Sequence, residues 1–232
     1  MPPGTNPSPE DPPPGNAPDC GALFLCDGFE SLSVGAQPDA AIWTLRRGYD
    51  NQWPLTNFAV DNSTAHSGTQ SLKLTANSSA PVGVIAAGPG DRFFLRVWMQ
   101  LETPAANAPV YIGIGTGEGS EIRMRSKTGA LVINAAQGDG LAPDPANCQT
   151  CTAPPSGWFC AEMFVDRVAE NATLWIDGVE AGSVVNNQGW HSGGTWPTSF
   201  AQVRIGPMGL EGGASTTWID DVAIGSERIG CN

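Results

Sequence analysis

Short runs of alternating apolar and polar residues recur along most of this chain, and they constrain its fold more than any other feature. In such a run one face of a strand can be buried while the other meets solvent. No stretch of a dozen residues shows convincing helical periodicity. This pattern predicts an all-β fold, a β-jelly-roll that is a concanavalin A-like sandwich of two antiparallel sheets. The clearest runs are Gln70–Leu74, Phe93–Leu101, Val110–Gly115, Glu121–Lys127, Leu131–Asn134, Glu162–Asp166, Thr173–Ile176, Gln202–Gly206 and Thr217–Ile224.

The two ends of the folded part carry matching strand patterns. Cys26–Ser31 near the start and Trp218–Ile224 near the end both hold carboxylates among apolar residues. If strands from the two termini pair, they close the sandwich and bring these carboxylates together, which predicts a seam that binds a cation. Residues 1–19 are rich in proline and nearly lack apolar side chains, so we expect a disordered tether there. Residues 20–232 then form a single β-jelly-roll domain.

Composition excludes several classes of function. The formal net charge of −12 argues against nucleic acid and anionic membranes as partners. No apolar run approaches the roughly 18 residues that a transmembrane helix needs. Six cysteines with few lysines favour disulfides and export over a zinc site at Cys148-x-x-Cys151, since a second such pair is missing. We expect a monomer that is secreted or tethered at the cell surface, with an export signal removed before Met1.

Alternation assigns faces to several of the predicted strands. Within Phe93–Leu101, one face is apolar and the other carries a recognition-like mixture of Phe94, Arg96, Trp98 and Gln100. If the polar faces of different strands line the same sheet, they form a shallow basic cleft. Its members would be Arg96, Trp98, Tyr111, Arg123, Arg125, Lys127, Trp175 and Arg204. Guanidinium groups bind carboxylates or sulfates and indole faces stack on sugar rings, although a solvated outer face with scattered charge would look the same.

Two further features leave alternatives open. The loop Gly189–Trp196 holds two tryptophans, which either rim the cleft or cap the core. Paired carboxylates for glycoside hydrolysis would have to come from Glu118, Glu121, Asp139 and Glu162. We therefore keep a hydrolase as a minor alternative.

Several motifs, taken in order, resemble the cellulose-induced secreted protein family of filamentous fungi and its bacterial relatives. That family is a β-jelly-roll related to glucuronan and alginate lyases. The motifs are Asp27-Gly28-Phe29-Glu30-Ser31, His66 to Lys73, Phe94 to Met99, Ile122-Arg123, Phe159-Cys160-Ala161-Glu162, Leu174 to Gly178, and Trp218 to Cys231. Together they span almost everything after the tether.

The resemblance implies a structural calcium ion that ties the termini together. Its ligands would be Glu30, Ser67 and Asp221, with Asp27 or Asp220 as additions. Hard oxygen ligands from distant segments suit calcium, whereas the plain alternative is a set of surface carboxylates flanking a strand. The resemblance also implies a disulfide between Cys160 and Cys231. The remaining cysteines pair most simply as Cys20 with Cys26 and Cys148 with Cys151, and other pairings stay open.

Lyases of the family cut polyuronates by β-elimination, which needs a group that neutralises the sugar carboxylate, a base and an acid. The resemblance places Arg123 in the neutralising role and retains Asp139. Glu121 stands at the family's histidine, Lys127 at its glutamine and Leu210 at its tyrosine. If the chain is a lyase, Tyr111 or Lys127 would have to substitute for that tyrosine.

Three functions follow from these patterns. The first is an exported, calcium-stabilised jelly roll that binds an acidic polysaccharide without cleaving it. The second is a polysaccharide lyase acting on a polyuronate. The third is a non-catalytic structural protein of the cell surface whose cleft is vestigial.

Overall fold

The computed structural model describes residues 20–76, 81–102, 109–148, 151–209 and 214–231. The predicted tether and Leu210 lie outside these ranges. The described part contains fifteen β-strands, two 3-10 helices (Cys20–Ala22 and Leu55–Asn57) and no α-helix. The all-β prediction is therefore confirmed.

The strands are numbered in chain order. They are β1 (Leu25–Asp27), β2 (Thr44–Arg47), β3 (Phe58–Asp61), β4 (Ser71–Ala76), β5 (Val82–Ala87), β6 (Arg92–Leu101), β7 (Pro109–Gly117), β8 (Ser120–Lys127), β9 (Ala130–Ala135), β10 (Leu141–Ala142), β11 (Trp158–Asp166), β12 (Asn171–Ile176), β13 (Val179–Val184), β14 (Gln202–Gly209) and β15 (Ser215–Gly225).

The strands form two antiparallel sheets that pack face to face. Sheet A has the order β13-β12-β11-β6-β15-β4-β3, and β1 pairs with β15 beside this path. Sheet B has the order β10-β9-β8-β7-β14-β5-β2. Most neighbours in each sheet are distant in sequence, so the sandwich brings together side chains from widely separated parts of the chain. The predicted jelly-roll sandwich is confirmed.

The core lies between the two sheets and follows the alternation read from the sequence. Val97 and Met99 of β6 are fully buried there, in the same cluster as Ile122 and Met124 of β8 from the opposite sheet. Burying one side chain of this size stabilises the fold by about 1.5–3 kcal/mol. The residues between them therefore point to the outer faces, where the candidate site lies.

The two ends of the chain do meet. In β1, Leu25 is paired with Ile224 and Asp27 with Val222 of β15. All six cysteines are paired, as Cys20–Cys26, Cys148–Cys151 and Cys160–Cys231. The predicted pairing of the terminal strands and the predicted disulfides are both confirmed.

The tryptophan-rich loop caps one end of the core. Trp196 is 8% exposed and belongs to the core, and Trp190 packs against it. Both indole N–H groups donate to the side-chain oxygen of Asn187, at 2.7 Å from Trp190 and 3.0 Å from Trp196. Of the two interpretations of this loop, the structure supports the cap.

In the described residues there is no helix long and apolar enough to cross a membrane.

Candidate functional site

The outer face of sheet B carries a group of arginines. Arg123 of β8 and Arg204 of β14 are both paired with Gly113 of β7, which lies between them in the sheet. Arg125 follows two residues later on β8 and points the same way. The three arginines are between 3% and 8% exposed. The structure brings them together on one face, as the alternation predicts.

Glu121 connects two of these arginines. Its Oε2 accepts a hydrogen bond from Nε of Arg123 at 2.8 Å, and its Oε1 makes an ion pair with Arg204. The Glu121 carboxylate occupies the space above Gly113, because a Cβ at that position would lie only 2.8 Å from Oε1. A glycine at the centre of the sheet therefore makes room for a buried ion pair.

A second carboxylate extends this network to the edge of the sheet. Glu118 Oε1 accepts hydrogen bonds from Arg204 at 2.9 Å and from Arg46 of β2 at 2.8 Å. Burial acts to raise the pKa of Glu118, but the hydrogen bond and charge of Arg46 and the charge of Arg204 outweigh it and lower that pKa. Two carboxylates thus neutralise much of the charge that the arginines bring to this face.

A depression of about 290 Å³ opens beside this network. Its lining combines charged, apolar and aromatic groups, among them Tyr49, Val110, Glu118, Arg123, Arg204 and Met208. Tyr49 is 55% exposed, and the Arg46 guanidinium lies 5.9 Å from the centre of its ring. The depression therefore offers a guanidinium and the exposed phenol ring of Tyr49 to one ligand.

Asp139 lies next to Arg125 rather than in the depression. Its Oδ1 accepts hydrogen bonds from Arg125 at 3.4 Å and from Nδ2 of Asn134 at 3.1 Å. The same Asn134 nitrogen also donates to the carbonyl oxygen of Gly140 at 2.9 Å, which fixes the turn between β9 and β10. The arrangement positions Asp139 as the partner of Arg125. The predicted basic cleft is in fact largely charge-compensated.

Two residues proposed as substitutes for the lyase tyrosine do not line the depression. Tyr111 is 2% exposed and packs in the core between the sheets. A β-bulge between Val110 and Ile112 reverses the alternation of β7, so Tyr111 points inward. Lys127 lies at the far end of β8, opposite Ala130. The prediction that Tyr111 belongs to the cleft is therefore wrong.

Three other predicted members of the cleft lie on the opposite sheet. Arg96 and Trp98 are on β6 and Trp175 is on β12, both strands of sheet A. The sequence cannot show this, because alternation assigns a face within a strand and leaves open which sheet the strand joins. The predicted single cleft is therefore wrong, and its members divide between two outer faces.

The C-terminal segment, residues 226–231, covers part of the outer face of sheet A. Arg96 is 4% exposed and donates to the carbonyl oxygens of Asp221 at 3.2 Å and Gly230 at 3.4 Å. The Arg228 guanidinium lies 4.2 Å from the centre of the Trp175 ring. Arg96 and Trp175 thus stabilise the C-terminal segment, and both are too buried to contact a ligand.

The carboxylates predicted at the seam surround one turn between β3 and β4. Asp221 accepts hydrogen bonds from Ser67 Oγ at 2.9 Å and contacts His66 Nδ1 at 2.7 Å. Glu30 accepts from the backbone N–H groups of Thr69 and Gln70, both at 2.8 Å. The turn at residues 66–70 therefore holds side chains from both ends of the chain.

Asp27 and Asp220 complete this group of acidic residues. Asp27 accepts hydrogen bonds from Phe29 N at 2.8 Å and from the Trp43 indole at 2.7 Å. Burial raises the pKa of Asp220 to about 7, and the charge of Asp221 acts in the same direction. Within the ranges described, no three histidine, cysteine, aspartate or glutamate side chains converge closely enough to hold a metal ion.

Sequence reasoning missed the contributions of Arg46 and Tyr49 to the candidate site, and it considered Glu118 only as a carboxylate for glycoside hydrolysis. Arg46 and Tyr49 come from β2 and the loop after it, at the edge of sheet B, far in sequence from β8 and β14. A signal was present, since Arg46 and Arg47 are adjacent members of a set of only 11 basic residues. Their position beside Arg204 depends on the strand order, which the sequence alone does not give.

A sandwich of two antiparallel sheets with an ordered polar network on an outer face belongs to the class of β-jelly-roll proteins. A family model described as "Polysacc_lyase-like: Cip1-like, core domain" matches residues 34–227. The chain therefore belongs to this Cip1-like family, which makes it a carbohydrate-active jelly roll. No curated protein matches the chain.

Solved structures agree with this fold. The structure named "Cellulose induced protein, Cip1" has a TM-score of 0.73 and 23% sequence identity, and the match covers 90% of this chain and 100% of that chain. A structure named "Sialidase" has a TM-score of 0.58 and 11% identity, and the match covers 88% of this chain but 18% of the sialidase. At these identities the likeness establishes the fold alone.

Proposed function

We propose that the outer face of sheet B binds an acidic polysaccharide, with Arg123 pairing a sugar carboxylate in the depression. The observation that carries this proposal is the arrangement of Arg123. Glu121 accepts from its Nε and fixes the plane of the guanidinium. In the described part of the chain the Nη groups of Arg123 form no hydrogen bond, so they face no competing acceptor before a ligand arrives. A guanidinium held in one orientation suits a carboxylate, because both groups are planar.

The other side chains of the depression support a sugar ligand. Tyr49 presents an exposed aromatic ring beside Arg123, and aromatic rings pack against the C–H faces of sugars. Arg204 pairs with two carboxylates, whereas Arg123 pairs with Glu121 through Nε and its Nη groups stay available at the depression. Arg123 is therefore the group that recognises charge, while its neighbours fix the shape of the site.

A second candidate function is polyuronate cleavage by β-elimination, and the position of Tyr49 favours it. In this reaction a base removes the proton on the carbon next to the carboxylate, a C=C bond forms, and the glycosidic oxygen leaves with a proton. Arg123 would neutralise the carboxylate, and the Tyr49 oxygen would take the proton from that carbon and pass it to the leaving glycosidic oxygen. Tyr49 takes this role in place of the core residue Tyr111, since Tyr49 lines the depression that Arg123 lines.

Binding is tested by titrating the protein with polyglucuronate in a calorimeter. We expect Arg123→Ala to weaken binding by about tenfold or more, because a charge-assisted hydrogen bond is lost. Arg123→Lys should also weaken it, since lysine keeps the charge but loses the planar fork. Arg167→Ala, at an exposed turn where Arg167 pairs with Asp91, is the matched control and should bind normally. Unchanged binding in both Arg123 variants would refute the proposed site.

Cleavage is tested with the same polymer by following the ultraviolet absorbance of unsaturated products. If the protein is a lyase, absorbance rises with the wild type and stays flat with Tyr49→Phe, although Tyr49→Phe still binds. A flat wild-type absorbance trace together with tight binding would mean that the protein binds the polymer without cleaving it. A protein that neither binds nor cleaves would be the structural surface protein.

We also propose that calcium binds at the seam, held by Glu30, Ser67, Asp221 and Asp27. Their oxygen atoms are the ligands that calcium prefers. Ser67 lies in the turn at residues 66–70, and Glu30 and Asp221 both accept hydrogen bonds from that turn. Calcium would supply a structural link between the two ends of the chain.

The three disulfides support a location outside the cell, where such bonds persist. We propose that the protein is secreted and meets its polysaccharide there. A monomer remains the expected state, and light scattering of the purified chain checks it.

A further inference from the structure

The outer face of sheet A carries three tryptophans that belong neither to the main core nor to the smaller cluster of Phe94, Phe164 and Trp175, on which Ile229 packs. Trp158 of β11 and Trp218 of β15 are both paired with Gln100 of β6, which lies between them in the sheet. Trp98 lies two residues before Gln100 on the same face of β6. All three rings are partly exposed. They form a patch, which we call the tryptophan face.

Hydrogen bonds and stacking hold two of these rings in place. The imidazole of His66 stacks on Trp98 with ring centres 3.5 Å apart and planes 10° apart, and it meets Trp158 edge-on at 6.2 Å. The Trp158 indole N–H donates to the Thr64 hydroxyl at 3.0 Å, and that hydroxyl donates to Gln100 Oε1 at 3.0 Å. Rings fixed in this way lose little freedom on binding, which favours affinity.

Trp218, the third ring, lies beside a lysine that is paired with an aspartate. The ammonium group of Lys73 is 5.2 Å from the centre of the Trp218 ring and 3.8 Å from the Asp61 carboxylate. On the other side of the patch, His66 contacts the Asp221 carboxylate at 2.7 Å. Among the described residues of the tryptophan face, Lys73 and His66 thus each have an acidic partner. This surface contrasts with sheet B, where Arg123 remains available to an anion.

The spacing of the rings suits an extended sugar chain. Neighbouring strands lie about 4.8 Å apart, so the backbones that carry Trp158 and Trp218 are separated by about 9.6 Å. That distance is close to the length of two sugar units in an extended polysaccharide. Gln100 lies between the rings and offers an amide to the sugar hydroxyls. Large aromatic side chains at the middle of an exposed sheet face are unusual for a surface that contacts only water.

We propose that the tryptophan face is a second glycan-binding surface, which takes an uncharged polysaccharide chain. The rings would pack on the apolar faces of successive sugars, and Gln100 and Thr64 would contact the hydroxyl groups. The two surfaces belong to opposite sheets of the sandwich, so they bind independently. The proposal does not rest on the function proposed for sheet B.

The test is affinity electrophoresis through gels that contain hydroxyethylcellulose, xylan or galactomannan. We expect at least one of these neutral polymers to retard the wild type. Trp158→Ala combined with Trp218→Ala should weaken that binding about tenfold or more. Arg123→Ala should bind these polymers like the wild type, while it loses polyglucuronate.

A second variant distinguishes a loss of binding from a folding defect in the double mutant. Gln100→Arg keeps both rings and places a bulky cation between them, so it should weaken binding to the neutral polymer as well. Near-ultraviolet circular dichroism checks that each variant is folded. The proposal is overturned if no neutral polymer retards the wild type, or if the folded variants bind as tightly as it does. Either result leaves the polyglucuronate test of sheet B unaffected.

Discussion

Gly113 illustrates how the absence of one side chain shapes the candidate site. The Glu121 carboxylate lies above Gly113 and joins Arg123 to Arg204, so three charged groups are buried together at the centre of sheet B. A buried charge is tolerated when its partners are close and well oriented. The glycine therefore serves the geometry of the site, and its backbone does not require an unusual conformation.

Replacing Gly113 by alanine should disrupt this ion pair. The new Cβ would lie 2.8 Å from Glu121 Oε1 and 3.0 Å from its Cδ, so the carboxylate must move away from its arginines. We expect the free energy of unfolding to fall by about 1–3 kcal/mol, measured by urea denaturation. Gly157→Ala is the control, because nothing lies within 4 Å of a Cβ there. Equal stability of the two variants would show that Glu121 is not held above Gly113.

Glu118 predicts a dependence of stability on acid pH. Its pKa in the folded protein is lowered below the ordinary 4.5, despite burial, by Arg46 and Arg204. Its contribution to stability is therefore present above the unfolded pKa and is lost as the pH falls through the folded pKa. In urea denaturation, the wild type should be more stable than Glu118→Gln near neutral pH, and this difference should shrink as the pH falls below the ordinary carboxyl pKa of 4.5. A difference that stays constant would contradict the pairing.

Two β-bulges decide where key side chains of individual strands point. In β7 the bulge between Val110 and Ile112 turns Tyr111 into the core. In β15 a register shift between Asp220 and Ala223 coincides with a positive φ of 45° at Asp221, and both aspartates face the turn at residues 66–70. Strict alternation predicts neither orientation, because a bulge adds one residue to the strand.

The C-terminal segment acts as a cover for the outer face of sheet A. The fully buried Glu162 accepts from Arg228 at 3.2 Å and from the backbone N–H groups of Ile229 at 2.7 Å and Gly230 at 3.1 Å. Together with the Cys160–Cys231 disulfide, these bonds hold the segment over Trp175. The segment therefore depends on both a covalent and an ionic attachment.

Removing the Cys160–Cys231 disulfide should loosen this cover. The two cysteines are 71 residues apart, so the double alanine variant should lose about 4 kcal/mol of unfolding free energy. Tryptophan emission should shift to longer wavelength as Trp175 becomes hydrated. The double alanine variant of Cys148 and Cys151, which are three residues apart, should change stability much less. Equal losses in both variants would mean that the segment is held by its other contacts alone.

At the scale of the whole molecule, the seam joins the two ends of the chain to the centre of sheet A. β1 pairs with β15, while Glu30 and Asp221 hold opposite sides of the turn at residues 66–70. A cation bound here would connect the first and last strands through a single turn. Its effect on stability should therefore extend to global unfolding.

Calcium should raise the midpoint of thermal unfolding by about 5 °C or more at saturating concentration, and a chelator should reverse the change. Asp221→Asn should unfold at the same temperature with calcium and with chelator, because a proposed ligand is lost. Asp50→Asn, at an exposed position away from the seam, should respond to calcium like the wild type. Absence of a calcium effect in the wild type would refute the calcium site.

Much of the fold could be predicted from the sequence, and less of the site. The core faces of β6 and β8 follow from alternation, because a strand exposes successive side chains to opposite environments. The grouping of Arg123, Arg125 and Arg204 also follows once their strands share a sheet. The grouping of Arg96 and Trp175 with them fails, because these residues lie in sheet A and pack under the C-terminal segment.

The sequence by itself determined the all-β class and the inward and outward faces of regular strands. These properties depend on local patterns and on the burial of apolar side chains, which the order of residues encodes directly. The tertiary structure alone decided which strands are neighbours, where bulges reverse a face, and which charges meet. Those outcomes depend on contacts between distant segments, and so only the folded chain places Tyr49 beside Arg123 and the three tryptophans on the opposite sheet.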